Sequence, residues 1–272
     1  MFVDYHTHHE RCGHAEGTLE QYIQKGIEIG LEQIGLSDHM PLLHVDPANY
    51  YPEMAMSFED LPYYVEECLQ LKEKYAKQID IKVGLEADYI EGYEEQISAI
   101  IQQYPWDYVI GSVHFIGEWD ITDYRQTHEW NGKNIDSIYE TYYKLLQQAA
   151  ATEMYDIIGH FDVIKRFGYK PEMDTKELEN QTLHVVKKHD IALECNTSGL
   201  RMPAKEMFPS ERILRYASQL GIPITLSSDA HKPNQLAYAL KDAQKLLKTA
   251  GFQQIATFQA RKRILSDFNC EQ

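Results

Sequence analysis

The stretch FVDYHTHHERCGHA, residues 2–15, begins as a short apolar strand and contains four histidines. Alternate side chains of an extended backbone point to the same side, so His6 and His8 project together from the strand end. Imidazole with carboxylate is a donor set that zinc, manganese and iron all accept. The stretch therefore predicts that the first strand of the fold ends at a metal site.

The rest of the chain repeats this pattern of a strand followed by a helix. Short β-like runs alternate with amphipathic stretches such as 57–76 and 135–150. Ser57 is the candidate cap of the first of these, and Ser210 is the candidate cap of a further helix that begins at ERILRYASQL. The predicted strands are 2–6, 33–39, 81–88, 108–114, 156–161, 191–198 and 223–230, with a weaker one at 253–258. We therefore expect an α/β fold, a TIM-like barrel of seven or eight parallel strands, in one domain spanning residues 1–272.

Composition excludes several classes of protein. The net charge of −16 disfavours nonspecific binding to nucleic acid or to an anionic membrane, both of which depend on clustered Lys and Arg. No apolar run reaches the ~18 residues that a membrane span needs, and no secretory signal is visible at the N-terminus. Cys12, Cys68, Cys195 and Cys270 form no C-x-x-C pair, which predicts reduced thiols. The expectation is a cytoplasmic protein.

Residues of metal-ligand type recur where the predicted strands end. After the first strand these residues are Asp38, His39, Glu86, Asp88, His114, His160, Glu194, Asn196, Asp229 and His231. In a β/α barrel the C-terminal ends of the strands converge on the face where active sites are built. Side chains far apart in the sequence are therefore expected to meet in one pocket.

The order of these motifs resembles the PHP (polymerase and histidinol phosphatase) family, and within it the stand-alone histidinol-phosphatase branch. The resemblance lies in DYHTH (4–8), CGHA (12–15), SDHMPL (37–42), GLEADY (84–89), GSVHFI (111–116), GHFD (159–162), ECNTSGLR (194–201) and SSDAH (227–231). These motifs cover nearly the whole chain. The resemblance implies a distorted (β/α)7 barrel with a centre of three divalent ions at the C-terminal strand ends.

The resemblance also implies a ligand set. The ligands are His6, His8, Glu86 and Asp229 for the first ion, Glu86, His114 and His160 for the second, and His14, His39 and His231 for the third. A carboxylate shared by two cations holds them ~3.5–4 Å apart, and their charge ionises a bridging water to a hydroxide that can attack phosphorus. Glu86, Asp229 and His231 are the catalytic candidates, and the general acid stays open among Asp229, a histidine and a metal-bound water. Such ligands do not decide between zinc, manganese and iron.

Two arginines are candidates for phosphate binding, because a guanidinium matches the geometry of phosphate oxygens. Arg166 follows GHFDVIK and Arg201 ends NTSGLR, both after predicted strands. Asp38 and Asp162 stand next to or near predicted ligands, and each is interpreted either as an acceptor that orients a histidine or as a capping carboxylate.

Residues 115–136 form a connection longer than the usual strand-to-helix loop, which indicates a lid or a substrate-binding insertion. Glu118, Trp119 and Asp120 are its candidate contacts, and Asp123 adds a further acid to the same surface. Carboxylates could neutralise an amine and an aromatic face could receive an imidazole.

The predicted activity is that of a metal-dependent phosphomonoesterase that hydrolyses L-histidinol phosphate to L-histidinol and phosphate in histidine biosynthesis. The alternatives are a PHP-type phosphoesterase for nucleotides or another small phosphate ester, an amidohydrolase with a similar H-x-H centre, and a noncatalytic metal-binding protein. The ordered GLEAD motif and the third-ion histidines disfavour the amidohydrolase, and the complete ligand set disfavours the noncatalytic protein. The sequence carries no signal for the oligomeric state.

Overall fold

The computed structural model describes residues 1–45 and 53–268. In this part of the chain the strands are β1 (Val3–Asp4), β2 (Gln33–Leu36), β3 (Asp80–Asp88), β4 (Tyr108–Ser112), β5 (Phe115–Ile116), β6 (Trp119–Asp120), β7 (Ile157–Ile158), β8 (Ala192–Asn196), β9 (Ile224–Ser227), β10 (Gln254–Gln259) and β11 (Lys262–Asp267). Seven of them form one parallel sheet in the order β1-β2-β3-β4-β7-β8-β9. Tyr5 N donates to Leu226 O at 3.0 Å and joins the two outer strands. The sheet is therefore a nearly closed TIM-like barrel, as predicted.

Helices follow the barrel strands and pack around them. Those of the described residues are α1 (Leu19–Ile29), α2 (Asp60–Tyr75), α3 (Glu94–Ile101), α4 (Ile135–Ala151), α5 (Lys176–Lys188), α6 (Glu211–Gln219) and α7 (Leu240–Ala250). In α1 the buried residues Leu19, Tyr22 and Ile23 recur at helical spacing. Thr18 and Gln21 form a reciprocal capping box, and Gly30 ends the helix at φ 77°.

The two predicted serine caps have different outcomes. Asp60 N donates to Ser57 Oγ at 3.1 Å, so Ser57 bonds the first amide of α2, although Glu59 occupies the cap position itself. The prediction for Ser210 was wrong, because its side chain makes no capping hydrogen bond although it precedes α6. The Ser210 amide instead donates to Asp162 Oδ2 at 3.0 Å, which fixes this loop to the neighbouring strand end.

The predicted strand at 253–258 lies outside the barrel. It is β10, which pairs antiparallel with β11 in a hairpin that the sequence analysis missed. Phe258 N donates to Tyr5 Oη at 3.0 Å and Ala260 N donates to Asp107 Oδ1 at 3.1 Å. Since Asp107 directly precedes β4, the hairpin covers the N-terminal end of the barrel, opposite the strand ends that carry the predicted ligands.

Two further observations bear on the sequence expectations. The described residues contain no helix that is both long enough and apolar enough to span a membrane. Cys12, Cys68 and Cys195 are buried free thiols, and Cys270 lies outside the described residues.

Gly84 and Tyr108 give a test of the barrel packing. A Cβ at Gly84 would lie 2.3 Å from Tyr108 Cζ, and Tyr108 is fully buried with its hydroxyl bonded to Tyr5 O. Gly84→Ala should therefore lower the free energy of unfolding by about 1–3 kcal/mol, measured by urea denaturation.

Gly26→Ala is the matched control. Its Cβ would meet only the ends of side chains, Ile79 Cδ1 at 3.1 Å and Ile34 and Leu31 Cδ1 at 3.5 Å, and alanine is favoured over glycine inside α1 by about 1 kcal/mol. An equal decrease in the free energy of unfolding in both variants would contradict the packing argument.

Candidate metal centre

The carboxylate of Glu86 lies at the centre of the site. Glu86 belongs to β3 and is 1% exposed. Its nearest imidazole nitrogens are His39 Nδ1 at 3.0 Å, His160 Nε2 at 3.0 Å, His6 Nε2 at 3.2 Å, His8 Nε2 at 3.4 Å and His114 Nε2 at 3.5 Å. Burial raises the pKa of Glu86, but the surrounding imidazoles outweigh it and hold this pKa well below its ordinary value. The barrel thus gathers five imidazoles from four strand ends around one acid on a fifth strand.

Asp229 extends the cluster from the segment after β9. Its Oδ1 lies 3.2 Å from His8 Nε2 and 3.5 Å from His231 Nδ1. The backbone of Asp229 has φ 51° and that of His160 has φ 47°, in the left-handed region that residues other than glycine rarely occupy. Such conformations cost of order 1–3 kcal/mol each and cluster at functional sites. Here they place two of the predicted ligands.

Buried carboxylates orient three of the imidazoles. His6 Nδ1 lies 2.9 Å from Glu194 Oε2, His8 Nδ1 lies 3.3 Å from Asp38 Oδ1, and His114 Nδ1 lies 2.9 Å from Asp88 Oδ1. Each contact is made by the nitrogen remote from the centre and leaves Nε2 to face it. Sequence reasoning noted Glu194 and Asp88 at strand ends without a role. Such a role depends on side-chain direction across neighbouring strands.

The expectations for Asp38 and Asp162 are corrected in part. Asp38 orients His8 rather than the ring of His39, from which it accepts only the backbone amide, at 2.9 Å. Asp162 makes no hydrogen bond to His160 among the described contacts. It forms an ion pair with Lys165 Nζ at 2.7 Å, so it stabilises the loop after β7 rather than the ring of His160.

His14 and His231 form a pair at the edge of the cluster. Their Nε2 atoms are 3.1 Å apart, while His14 Nδ1 lies 3.2 Å from Cys12 O and His231 Nδ1 lies 3.1 Å from Asp229 O. Since a carbonyl oxygen only accepts, each Nδ1 carries the proton of a neutral ring. Burial lowers the pKa of His14 to about 4 and that of His231 well below its ordinary value. Two neutral rings therefore turn lone pairs toward each other, an arrangement that a cation stabilises.

The donor set fits divalent metal ions. His6 Nε2 and Glu86 Oε2 are buried without a hydrogen-bond partner, which indicates that they serve another ligand. The groups with ligand atoms within 4.8 Å of one another include His6/Glu86/His160, His6/His8/Asp229, His39/Glu86/His114 and His8/His39/His231. The groups share members, so neighbouring ions would share ligands. His14 falls outside these groups and approaches the cluster through His231.

A cavity of about 430 Å³ opens onto this cluster. Its wall includes both predicted phosphate-binding residues, Arg166 and Arg201. Arg201 Nη2 donates to Ser228 O at 2.8 Å and to Asp229 O at 2.9 Å, whereas its Nη1 has no hydrogen-bond partner. Arg166 Nε also lacks a partner. The cavity therefore combines cation ligands with guanidinium donors that are free for an anion.

Segment 115–136 meets the cavity differently from the expectation. Asp120 lines the wall, but the exposed Glu118 does not, and Trp119 packs against the ring of Trp130 with centroids 5.0 Å apart. Neither residue has the predicted contact with the cavity in this structure. The hairpin β5–β6 turns both side chains away, a direction that sequence spacing does not reveal.

The same segment supplies three more lining residues, Asp123, Tyr124 and Arg125, of which sequence reasoning named Asp123 and missed the other two. Asp123 Oδ1 accepts from Arg125 N at 2.8 Å and from Arg125 Nε at 3.0 Å. The acidic and aromatic composition of the segment was its only signal. The local Asp123–Arg125 contact, which places both beside the cavity, became visible only in the structure.

A parallel β/α barrel with a His, Asp and Glu cluster at its C-terminal strand ends defines a metal-binding barrel enzyme. The chain belongs to the PHP domain family, whose model matches residues 4–198. This membership confirms the resemblance found in the sequence.

Similar proteins have a common description. A probable histidinol-phosphatase of Deinococcus radiodurans is 36% identical over 95% of this chain and 97% of its own length. The histidinol-phosphatase of Bacillus subtilis is 31% identical over 87% of this chain and 96% of its own length. A crystal structure of histidinol phosphate phosphatase from Lactococcus lactis, complexed with zinc, L-histidinol and phosphate, superposes with a TM-score of 0.83 at 28% identity, covering 97% of this chain and 98% of that one.

Metal uptake should release protons at neutral pH. Burial lowers the pKa of His8, but Asp229 and Asp38 raise it to about 9 overall, and Asp88 likewise outweighs burial and raises the pKa of His114 to about 10. Both rings are therefore protonated at pH 7 in the metal-free protein, and Nε2 must lose its proton to bind a cation. Zinc affinity should rise with pH from 7 to 9, where proton competition fades.

Calorimetric zinc titrations at pH 7 in buffers of different ionisation enthalpy measure this release. A binding heat that does not depend on the buffer would contradict the expected release.

Proposed function

We propose that the chain is a histidinol-phosphatase, a metal-dependent phosphomonoesterase that hydrolyses L-histidinol phosphate to L-histidinol and phosphate. The observation that carries the proposal is the single cavity in which Arg166 and Arg201 hold free guanidinium nitrogens beside the imidazoles and carboxylate around Glu86. The similar proteins are named histidinol-phosphatases, which supports L-histidinol phosphate as the substrate.

The proposal includes three divalent ions, with the ligand set implied by the resemblance. Glu86 would be shared by the first two ions, because its two oxygens face different imidazoles: Oε2 faces His6 and His8, and Oε1 faces His160 and His114. The His14–His231 pair and His39 would serve the third. When bound, such ions supply Lewis acidity and an ionised water at neutral pH.

The side chains of this chain would bind and orient the phosphate. Arg201 is fixed by its bonds to Ser228 O and Asp229 O, which leaves Nη1 for a phosphoryl oxygen. Burial lowers the pKa of Arg166, yet a guanidinium stays charged at neutral pH. Two cationic donors in a buried wall stabilise the charge that spreads over the phosphoryl oxygens during transfer.

Asp229 and His231 would lie beside the departing alcohol, and the proton that the alcohol needs would come from one of them or from a water held there. Both line the cavity, and His231 Nδ1 lies within 3.5 Å of Asp229 Oδ1. The ionisable Asp229 and the imidazole of His231 thus stand beside the phosphate-binding arginines. We assign them, with Glu86, to catalysis.

The other end of the substrate would meet the acidic part of the wall. L-Histidinol carries an amine and an imidazole, and Asp88, Asp120 and Asp123 all line the cavity. Asp120 is retained as a substrate contact. Glu118 and Trp119 are left out of the proposal because they lie off the cavity wall.

The remaining parts of the proposal concern context. They are one barrel domain over residues 1–272, a small-molecule partner rather than nucleic acid, and a cytoplasmic location. The biosynthetic activity named for the relatives supports the location.

Phosphate release from a panel of phosphomonoesters after reconstitution with zinc, manganese or iron tests the activity. We expect the highest kcat/KM for L-histidinol phosphate and loss of activity on chelation. Rapid hydrolysis of nucleoside monophosphates, together with no hydrolysis of L-histidinol phosphate, would favour the nucleotide alternative.

Glu86→Gln should reduce kcat/KM by more than roughly 100-fold, since loss of residues that merely support metal ligands already costs 10–100-fold. The same variant should bind zinc more weakly. Glu118→Gln, at an exposed position off the cavity wall, is the matched control and should retain activity.

Arg201→Lys keeps the charge but loses the forked donor. The KM for L-histidinol phosphate should rise about 10-fold or more, because a charge-assisted hydrogen bond contributes roughly 1.5–3 kcal/mol. Steady-state kinetics and inhibition by inorganic phosphate report this change. An unchanged phosphate inhibition constant would remove Arg201 from the anion site.

A further inference from the structure

The amide of Asn196 lies between the buried carboxylate of Glu194 and the partly exposed carboxylate of Asp229. Asn196 ends β8, and its Nδ2 donates to Glu194 Oε1 at 2.9 Å and to Asp229 Oδ2 at 3.3 Å. Its Oδ1 accepts from Ser198 N at 2.9 Å. Because a backbone N–H requires an acceptor, this last bond fixes the orientation of the amide and directs its NH2 group to the acids.

A second donor acts on the same oxygen of Asp229. Ser198 Oγ lies 3.1 Å from Asp229 Oδ2, while Asp229 Oδ1 faces His8 Nε2 at 3.2 Å. The two carboxylate oxygens therefore have different tasks. Oδ2 is held by Asn196 and Ser198, and Oδ1 is directed to the centre.

The other carboxylate bound by Asn196 is the one that orients His6. Glu194 receives His6 Nδ1 at 2.9 Å and Ser227 Oγ at 2.6 Å in addition to the amide. Glu194, Asn196, Ser227 and His6 are all at most 1% exposed. One amide thus connects the support of His6 with the carboxylate of Asp229.

We infer that Asn196 and Ser198 are positioning residues for the first metal site: together they fix His6 Nε2 and Asp229 Oδ1 toward the same ion. The inference rests on the proposed metal-dependent function and deepens it.

The chemistry of the position requires asparagine. An aspartate there would supply no N–H to Glu194 or Asp229 and would add a third buried carboxylate beside them. The bonds from Asn196 and Ser198 matter most for Asp229, whose backbone is held at the rarely occupied φ of 51°. Loss of either donor should therefore loosen the ligand geometry more than it loosens the fold.

Zinc affinity separates this role from a purely structural one. The variants are Asn196→Asp and Ser198→Ala, and the control is Thr197→Val between them. Thr197 is also buried, but its Oγ1 bonds to Tyr238 O at 2.7 Å and to Ser227 O at 3.3 Å, with no bond to either acid. Zinc dissociation constants are measured by competition with a chromophoric chelator, and the metal-free proteins are unfolded in urea.

We expect Asn196→Asp and Ser198→Ala to bind zinc roughly 10–100-fold more weakly, while Thr197→Val keeps wild-type affinity even if its metal-free form is less stable. The double variant should lose less affinity than the two single losses combined, because both donors act on Asp229 Oδ2.

Wild-type affinity in both single variants would overturn the inference, and so would an equal loss of affinity in Thr197→Val. A wild-type chain that binds no zinc, manganese or iron and releases no phosphate would end the proposed function and this inference with it. A wild-type chain that binds zinc and hydrolyses L-histidinol phosphate, with the variants unchanged, would end the inference alone.

Discussion

The burial of Glu86 is the constraint on which the site depends. A carboxylate removed from water is costly unless positive charge or hydrogen bonds compensate it. Here the compensation comes from imidazoles at 3.0–3.5 Å, and Ser112 Oγ adds a hydrogen bond at 2.6 Å. Divalent ions held by this cluster would supply the same compensation. The acid and its surroundings thus form a unit that holds positive charge in either state.

Outside this unit a layer of acceptors fixes five of the rings. Glu194, Asp38 and Asp88 receive the Nδ1 atoms of His6, His8 and His114, and backbone carbonyls receive those of His14 and His231. These five rings turn their Nε2 atoms inward, whereas His39 faces Glu86 with Nδ1. The nitrogen that the barrel wall binds thus decides which nitrogen of these five rings faces the pocket.

The sequence predicted the repeated strand–helix units and the position of ligand-type residues at the C-terminal ends of the strands. Strand ends could be located from apolar runs, and a parallel barrel brings such ends together, so the clustering around Glu86 followed from topology. The roles of Glu194 and Asp88 and the direction of Trp119 could not be read in the same way. They depend on how side chains on neighbouring strands face one another, which a linear pattern does not contain.

The missed hairpin has a similar cause. The turn between β10 and β11 uses Ala260 and Arg261 at φ 49° and 63°, whereas the usual sequence signal for such a turn is glycine or asparagine. The prediction for Ser210 failed because a serine before a helix indicates a cap only by local propensity. Its backbone amide donates to the buried Asp162 of another loop, and its side chain makes no capping hydrogen bond.

The join between β1 and β9 has a consequence for biogenesis. His6 and Asp229 come together only when Tyr5 reaches Leu226 and Asp4 receives the amides of Ser228 and Ala237. Contacts this remote in sequence form late and slowly. A nascent polypeptide therefore cannot bring Asp229 and His231 to the cluster around Glu86 until the segment after β9 has been synthesised.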